Sequence, residues 1–232
     1  MKIVIIHGQN HKGSTYHVAH HLLENIREHK EVHEFFLPRD LGHFCLGCYS
    51  CIEDETACPF YQEKWEIMQA VEAADLLILT TPTYCMAPSA GMKTFMDLTF
   101  TYWVSHRPRA CMFHKRAVIL STTAGVGTSS AIKPIKQMLT YWGISNITTY
   151  GIGVQAMNWQ GVRAEKKEKI ERDMARLGAR LSGKSKPRVS LKVKFLFCMM
   201  SMMQKGHMGS GEAERQYWEE KGWLDKKRPW NA

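Results

Sequence analysis

Cys45, Cys48, Cys51 and Cys58 form the spacing C-x2-C-x2-C-x6-C, so four of the chain's seven cysteines fall within fourteen residues. Thiolates this close together converge on one small object. A [4Fe–4S] cluster needs four thiolates around a cube, and a C-x2-C-x2-C run wraps three of them on one face while a fourth arrives from slightly further on. A tetrahedral zinc site could use the same four, although structural zinc sites more often pair two C-x2-C units across a longer gap. A thiol pair cycling through a disulfide is a third use, and a cysteine-rich loop without a ligand is a fourth. The spacing leaves these alternatives open, so the surrounding fold has to be read next.

Apolar runs rich in Val, Ile and Leu recur at Lys2–His7 and at residues 75–81, 116–121 and 146–155, with a weaker strand at 32–37. Continuous apolar strands of this kind suit a parallel sheet covered on both faces. Helical stretches separate them at residues 14–28, 62–74, 90–102, 129–142 and 163–181. The alternation predicts an α/β fold: a doubly wound, five-stranded parallel sheet in three α/β/α layers with right-handed crossovers. Such sheets bind ligands beyond the carboxyl ends of their strands, near the point where strand order reverses. Three loops therefore carry the information.

The first loop, His7-Gly8-Gln9-Asn10-His11-Lys12-Gly13-Ser14-Thr15, opens a helix. Its backbone N–H groups and the Ser14 and Thr15 hydroxyls make an anion site. It is close to a Walker A loop, but Ser14 stands where that loop has its lysine, and the pattern G-x-G-x-x-G is missing as well. A terminal monophosphate fits better than ATP or NAD. The loop after the third strand, Thr81 to Pro88, holds two prolines in a rigid extended turn against which a flat heterocycle can lie. The loop after the fourth, Ser121 to Thr128, is rich in small residues, so backbone can approach a ligand closely.

At 232 residues and 44% hydrophobic, the chain can bury a full core with length to spare, which predicts a domain over residues 1–182 and an extension over 183–232. No secretory signal follows Met1, and no apolar run reaches the length of a membrane span, which predicts a cytoplasmic protein without a transmembrane segment. The net charge of +9 suits anionic partners, but no nucleic-acid-binding motif accompanies it. Eleven basic and five acidic residues after Ser182 put +6 of the charge in the extension. Residues 191–204, read as a helix, are apolar on most sides and must pack on their own domain or on a partner subunit, with an interfacial membrane helix as the sharper alternative.

The order of these elements resembles the flavodoxin-like NAD(P)H-dependent FMN reductases, and the cysteine run resembles their iron–sulfur flavoprotein branch. The resemblance covers about residues 1–182. It implies a flavodoxin-like fold, FMN as cofactor and NAD(P)H as electron donor. It places the FMN phosphate on the first loop at Gln9, His11, Gly13, Ser14 and Thr15, with a polar contact from His7; Gln9 and His11 stand where the family usually has Ser and Arg. It sets Pro82, Thr83, Tyr84, Cys85 and Met86 along the flavin ring, and Thr122, Thr123, Ala124, Gly125, Val126 and Gly127 at its pyrimidine edge. No side chain is singled out as catalytic; Tyr84 is the nearest to ring contact. Cys45, Cys48, Cys51 and Cys58 are the metal-ligand candidates, on a loop at the mouth of the flavin site. The function implied is electron transfer from NAD(P)H through FMN to a small acceptor such as a flavin or quinone, in a homodimer or higher homo-oligomer. An electron carrier that uses a [4Fe–4S] cluster and a ferredoxin-like donor is one alternative, and a non-enzymatic binding module is another.

Overall fold

The computed structural model describes residues 1–183, 187–209 and 211–231; residues 184–186, 210 and 232 of the expected extension lie outside them. Five strands, β1 (Lys2–His7), β2 (Glu31–Phe36), β3 (Leu76–Tyr84), β5 (Arg116–Thr123) and β6 (Asn146–Gly153), form a parallel sheet in the order β2-β1-β3-β5-β6. A two-residue strand, β4 (Ala87–Pro88), turns back antiparallel on the end of β3. The helices are α1 (Ser14–Glu24), α2 (Ser50–Glu53), α3 (Tyr61–Ala73), α4 (Ala90–Leu98), α5 (Thr128–Tyr141), α6 (Ala164–Leu181), α7 (Leu191–Lys205) and α8 (Glu212–Glu220). The expected doubly wound sandwich is present.

Alternation along the strands builds two cores. Ile3 and Ile5 of β1 point with Ile78, Val118 and Leu120 toward α1 and α6, while Val4 and Ile6 point with Leu77, Leu79 and Ile119 toward α3, α4 and α5. The order reverses between β1 and β3, which is where a doubly wound sheet opens a crevice at its carboxyl edge.

The boundaries differ from the sequence reading in informative places. β3 runs three residues past Thr81, because Thr81 and Pro82 go on pairing with Ser121 and Thr122 of β5. Its pairing with β1 has stopped at Thr80, so Pro82 has no second neighbour to which it would owe an N–H. α1 stops at Glu24, where Asn25 turns its side-chain amide onto the His21 carbonyl at 2.8 Å. The stretch expected as one helix over 90–102 is two pieces: α4 ends at Leu98, and a 3₁₀ turn follows at Phe100–Tyr102. α2 and α8 are too short for hydrophobic periodicity to reveal.

A third core lies outside the sandwich. α7 buries Val193, Phe197, Ser201 and Gln204 along one stripe, and Phe197 packs with Trp218 and Trp223 against Val104 and Phe113. Leu191, Phe195 and Met202 of the same helix are exposed. No helix among the described residues is long and apolar enough to cross a membrane.

Candidate functional site

The first loop is held by its buried end. Gly8 donates its N–H to the Thr80 carbonyl at 2.7 Å and accepts from the Ser89 hydroxyl at 2.6 Å. A Cβ on Gly8 would lie 2.6 Å from Ser89 Oγ and 2.8 Å from the Thr80 oxygen, so only glycine lets the loop leave the sheet here. At the other end, α1 begins at Gly13 without a side-chain cap and without an acidic residue in its first turn. The N–H groups of Ser14, Thr15 and Tyr16 have no acceptor among the described residues. Such unmet donors at a helix start fit a phosphate, by hydrogen bonding and by the helix dipole together. The His11 ring folds over Gly13, where a Cβ would come within 2.8 Å of Nε2; Gln9 is half-buried beside it.

His7 behaves differently from its neighbours. It is 2% exposed and turned toward α1, with Nε2 2.8 Å from Glu34 Oε2 and Nδ1 3.3 Å from Thr80 Oγ1. Glu34 also accepts from His20 at 3.1 Å, and the His7 ring stacks on Phe36. Burial holds the His7 pKa below its ordinary value against the pull of Glu34. Burial pushes the Glu34 carboxyl up, but the two imidazole hydrogen bonds outweigh it and its pKa is lowered. With both ring nitrogens engaged, His7 braces β1 to β2 through Glu34 and to β3 through Thr80, and offers no donor to the loop.

The second and third loops touch each other and the first. β3 and β4 are joined through Cys85 and Met86, with φ of 49° and 62°, the left-handed pair that a tight two-residue hairpin requires. Cysteine and methionine are poor residues for that conformation, and strained backbone of this kind clusters at ligand clamps. Gly127, at φ 100°, lets Met86 seat against the third loop; a Cβ there would lie 2.5 Å from the Met86 sulfur. Thr83 and Ser121 hydroxyls meet at 3.0 Å. Thr15 Oγ1 lies 3.2 Å from Thr122 Oγ1, which ties the first loop to the third. Thr123 closes its loop by accepting from the Gly125 N–H and donating to the Val126 carbonyl, both at 3.2 Å. Around this junction Tyr84, Cys85, Met86, Ala124, Gly125 and Val126 stay exposed, with Pro82 half-buried at the base of the turn.

The cysteine loop turns sharply at Gly47 and Tyr49, with φ of 65° and 59°, and this curls Cys45, Cys48 and Cys51 toward one side. All four cysteines line one cavity of about 370 Å3, closed by Phe60, Leu98 and Phe100. They are free thiols: Cys45 and Cys48 exposed, Cys58 half-buried, Cys51 buried. The Ser50 hydroxyl, 3.5 Å from its sulfur, lowers the Cys48 pKa, while burial raises that of Cys51 against the opposing charge of Lys64. No three of the sulfurs come within 4.8 Å of one another. Four sulfurs on one zinc stand about 3.8 Å apart, closer than any three of these are to one another. Lys64 bears on the occupant electrostatically. It is 4% exposed, and its ammonium has no hydrogen-bond partner among the described residues. A buried unpaired cation beside thiols fits an anionic occupant.

The cysteines follow β2 in the chain and sit beside α4 in the fold. Their cavity is walled by Asp97, Leu98 and Phe100, at the end of α4 opposite to the Ser89 that holds Gly8. Sequence reading missed Ser89, whose hydroxyl also caps α4 by accepting from the Met92 N–H, and Lys64. The Ser-Ala-Gly opening of a helix was the available sign of the first; nothing local marks the second.

Known proteins share this arrangement in part. An iron–sulfur flavoprotein of Archaeoglobus fulgidus is 24% identical over 195 residues, 84% of this chain and 86% of its own. One from Methanocaldococcus jannaschii is 30% identical over 98 residues, 42% of this chain and 50% of that protein. Among solved structures, an FMN-dependent NADH-azoreductase from Bacillus anthracis superposes with a TM-score of 0.60 at 16% identity, over 79% of this chain and 100% of that one. The NAD(P)H:quinone oxidoreductase of Methanothermobacter marburgensis does so with a TM-score of 0.60 at 18% identity, over 80% and 98%. These structures share the fold. Residues 1–157, the sheet with all three loops, match the family described as NADPH-dependent FMN reductase, and the chain belongs to that family.

Proposed function

We propose that this FMN-dependent oxidoreductase takes a hydride from NADH or NADPH and passes electrons to a small acceptor such as a flavin or a quinone. The observation that carries the reading is the junction of three loops at one sheet edge, through Thr15–Thr122 and Met86–Gly127, beside a helix start with unmet N–H donors. FMN, when bound, supplies the hydride chemistry. The chain's residues supply the rest. The amides and hydroxyls of Ser14 and Thr15 hold the phosphate, with Gln9 and His11 beside them. The turn from Pro82 to Met86 supports the ring, and N–H groups of the 122–127 loop face its polar edge, where they favour negative charge. No acid–base side chain is required for hydride transfer, and none is assigned.

A second reading is favoured by the single cavity that all four cysteines line and by Lys64: Cys45, Cys48, Cys51 and Cys58 hold a [4Fe–4S] cluster, and the protein relays single electrons from a ferredoxin-like donor. We place residues 1–182 as the FMN-binding unit and 183–232 as an extension of it, in a cytoplasmic homodimer without nucleic-acid partners. The test is a titration of the flavin-free protein with FMN and with riboflavin. Ser14→Ala should weaken FMN about tenfold, for one lost hydrogen bond to a charged group, and leave riboflavin unchanged. Equal losses for both ligands would remove the phosphate from this loop, and failure of the wild-type chain to bind either would favour a non-enzymatic module. An anaerobic spectrum with an iron and sulfide assay separates the two electron-transfer readings.

A further inference from the structure

Residues 104–109 form a strap between the cysteine loop and the C-terminal helices, and both of its sides are tied. Toward the loop, Arg107, 7% exposed, aims its guanidinium at the carbonyls that end α2. Nη1 donates to the Cys51 oxygen at 2.9 Å, and Nη2 donates to the Glu53 oxygen at 3.1 Å and to that of Ile52. Arg109 Nη2 donates to Glu55 Oε2 at 2.5 Å. One acceptor is the carbonyl of Cys51 itself, and the other three lie between Cys51 and Cys58.

Toward the extension, Gln204 Nε2 of α7 donates to the Ser105 carbonyl at 3.0 Å, and Trp218 Nε1 of α8 donates to the His106 carbonyl at 2.6 Å. His106 Nδ1 meets Glu214 Oε1 at 2.8 Å, and the Tyr217 hydroxyl donates to the Pro108 carbonyl at 2.6 Å. Glu214 and Trp218 are fully buried. α8 also reaches α2 directly, since a Cβ on Gly211 would lie 3.3 Å from Glu53 Oε1.

A six-residue strap without regular structure cannot hold a guanidinium in place by itself, because its backbone freedom is too large. A single-turn helix leaves its last carbonyls unmet, and arginine is the one side chain whose rigid fork of donors can reach three of them. The family match ends at residue 157, so the helices that hold this strap lie beyond it. We propose that the C-terminal extension, acting through Arg107 as a positioning residue, fixes the half of the cysteine loop that carries Cys51 and Cys58. Cys45 and Cys48 lie outside its grip and stay exposed, whereas Cys51 is buried under it. This is a property of the ligand-free chain and does not rest on what the cysteines hold.

The test uses the full-length, reduced, metal-free protein and two variants. Arg107→Lys keeps the charge but loses the fork. Tyr217→Phe/Trp218→Phe removes three bonds to the strap, those of the Tyr217 hydroxyl with the Pro108 carbonyl and with Arg109 Nη1 and that of Trp218 with the His106 carbonyl, and keeps an aromatic ring at both positions. Alkylation by iodoacetamide is followed cysteine by cysteine by mass spectrometry, together with amide hydrogen exchange over residues 45–58. Arg107→Lys should raise the Cys51 rate about tenfold for the bonds lost, and the double variant should raise it a few-fold. Cys45, Cys48 and FMN affinity should be unchanged in both. A Cys51 rate in the double variant equal to wild type overturns the proposal, as does an equal rise at all cysteines with loss of FMN, which is general loosening. If Arg107→Lys does not fold, the double variant still decides.

Discussion

Replacing Lys64 by methionine should move the metal-free and the cluster-loaded protein in opposite directions. In the chain alone, the Lys64 ammonium is buried without a hydrogen-bond partner among the described residues. Leaving a buried donor unmet costs about 1–3 kcal/mol, and more when it is charged. Its compensation is the Tyr61 ring, whose centroid lies 5.8 Å from Nζ, a contact worth about 0.5–1 kcal/mol. Methionine fills nearly the same space with an adaptable apolar chain. The difference leaves the metal-free Lys64→Met protein about 1–2 kcal/mol more stable than wild type. With an anionic centre on the cysteines the sign reverses. Lys64 is near enough to Cys51 to pull its thiol pKa down against burial. A unit charge pair roughly 4–8 Å apart at an effective dielectric near 20 contributes on the order of 2–4 kcal/mol, all of which methionine forfeits. Urea unfolding of the reduced, iron-free proteins measures the first effect. Iron retention against a chelator, after reconstitution with iron and sulfide, measures the second. A metal-free variant less stable than wild type would show that Lys64 has a partner the geometry does not reveal, and undiminished iron retention would remove its role as counter-charge.

Two further outcomes follow from the flavin side. Because burial holds His7 below the ordinary imidazole pKa of 6.5, the unfolded chain binds more protons than the folded one just below that value, so stability should fall as the pH drops from about 7 to 5. In His7→Gln that part of the slope should vanish in urea midpoints measured across the range; a slope that persists assigns it to other groups. Gly8→Ala drives a Cβ onto the Thr80 carbonyl and should cost about 1–3 kcal/mol, while Gly125→Ala, with nothing within 4 Å, should stay within about 0.5 kcal/mol. Equal losses in the two would refute the close-approach argument.

What the sequence determined is whatever has a local period or a local punctuation. Apolar runs separated by helical stretches specify the doubly wound sheet, and with it the edge at which the loops after β1, β3 and β5 must meet. The cysteine spacing is equally local. Tertiary structure decided which side chains turn toward one another once the chain leaves an element, because those choices are made by partners far apart in sequence. His7 reads as a loop donor until Glu34 and Thr80 claim both of its nitrogens. Thr15 finds Thr122, and Gly127 receives Met86, across more than forty residues. The cysteines follow β2 in the chain, yet they line the far end of α4. Arg107 lies in a stretch with neither period nor motif, yet α7 and α8 bond to the strap that carries it, and its guanidinium meets the carbonyls of Cys51 to Glu53, more than fifty residues away in the chain. Hydrophobic pattern encodes which face of an element is buried; it carries no record of which distant polar group a buried donor will meet.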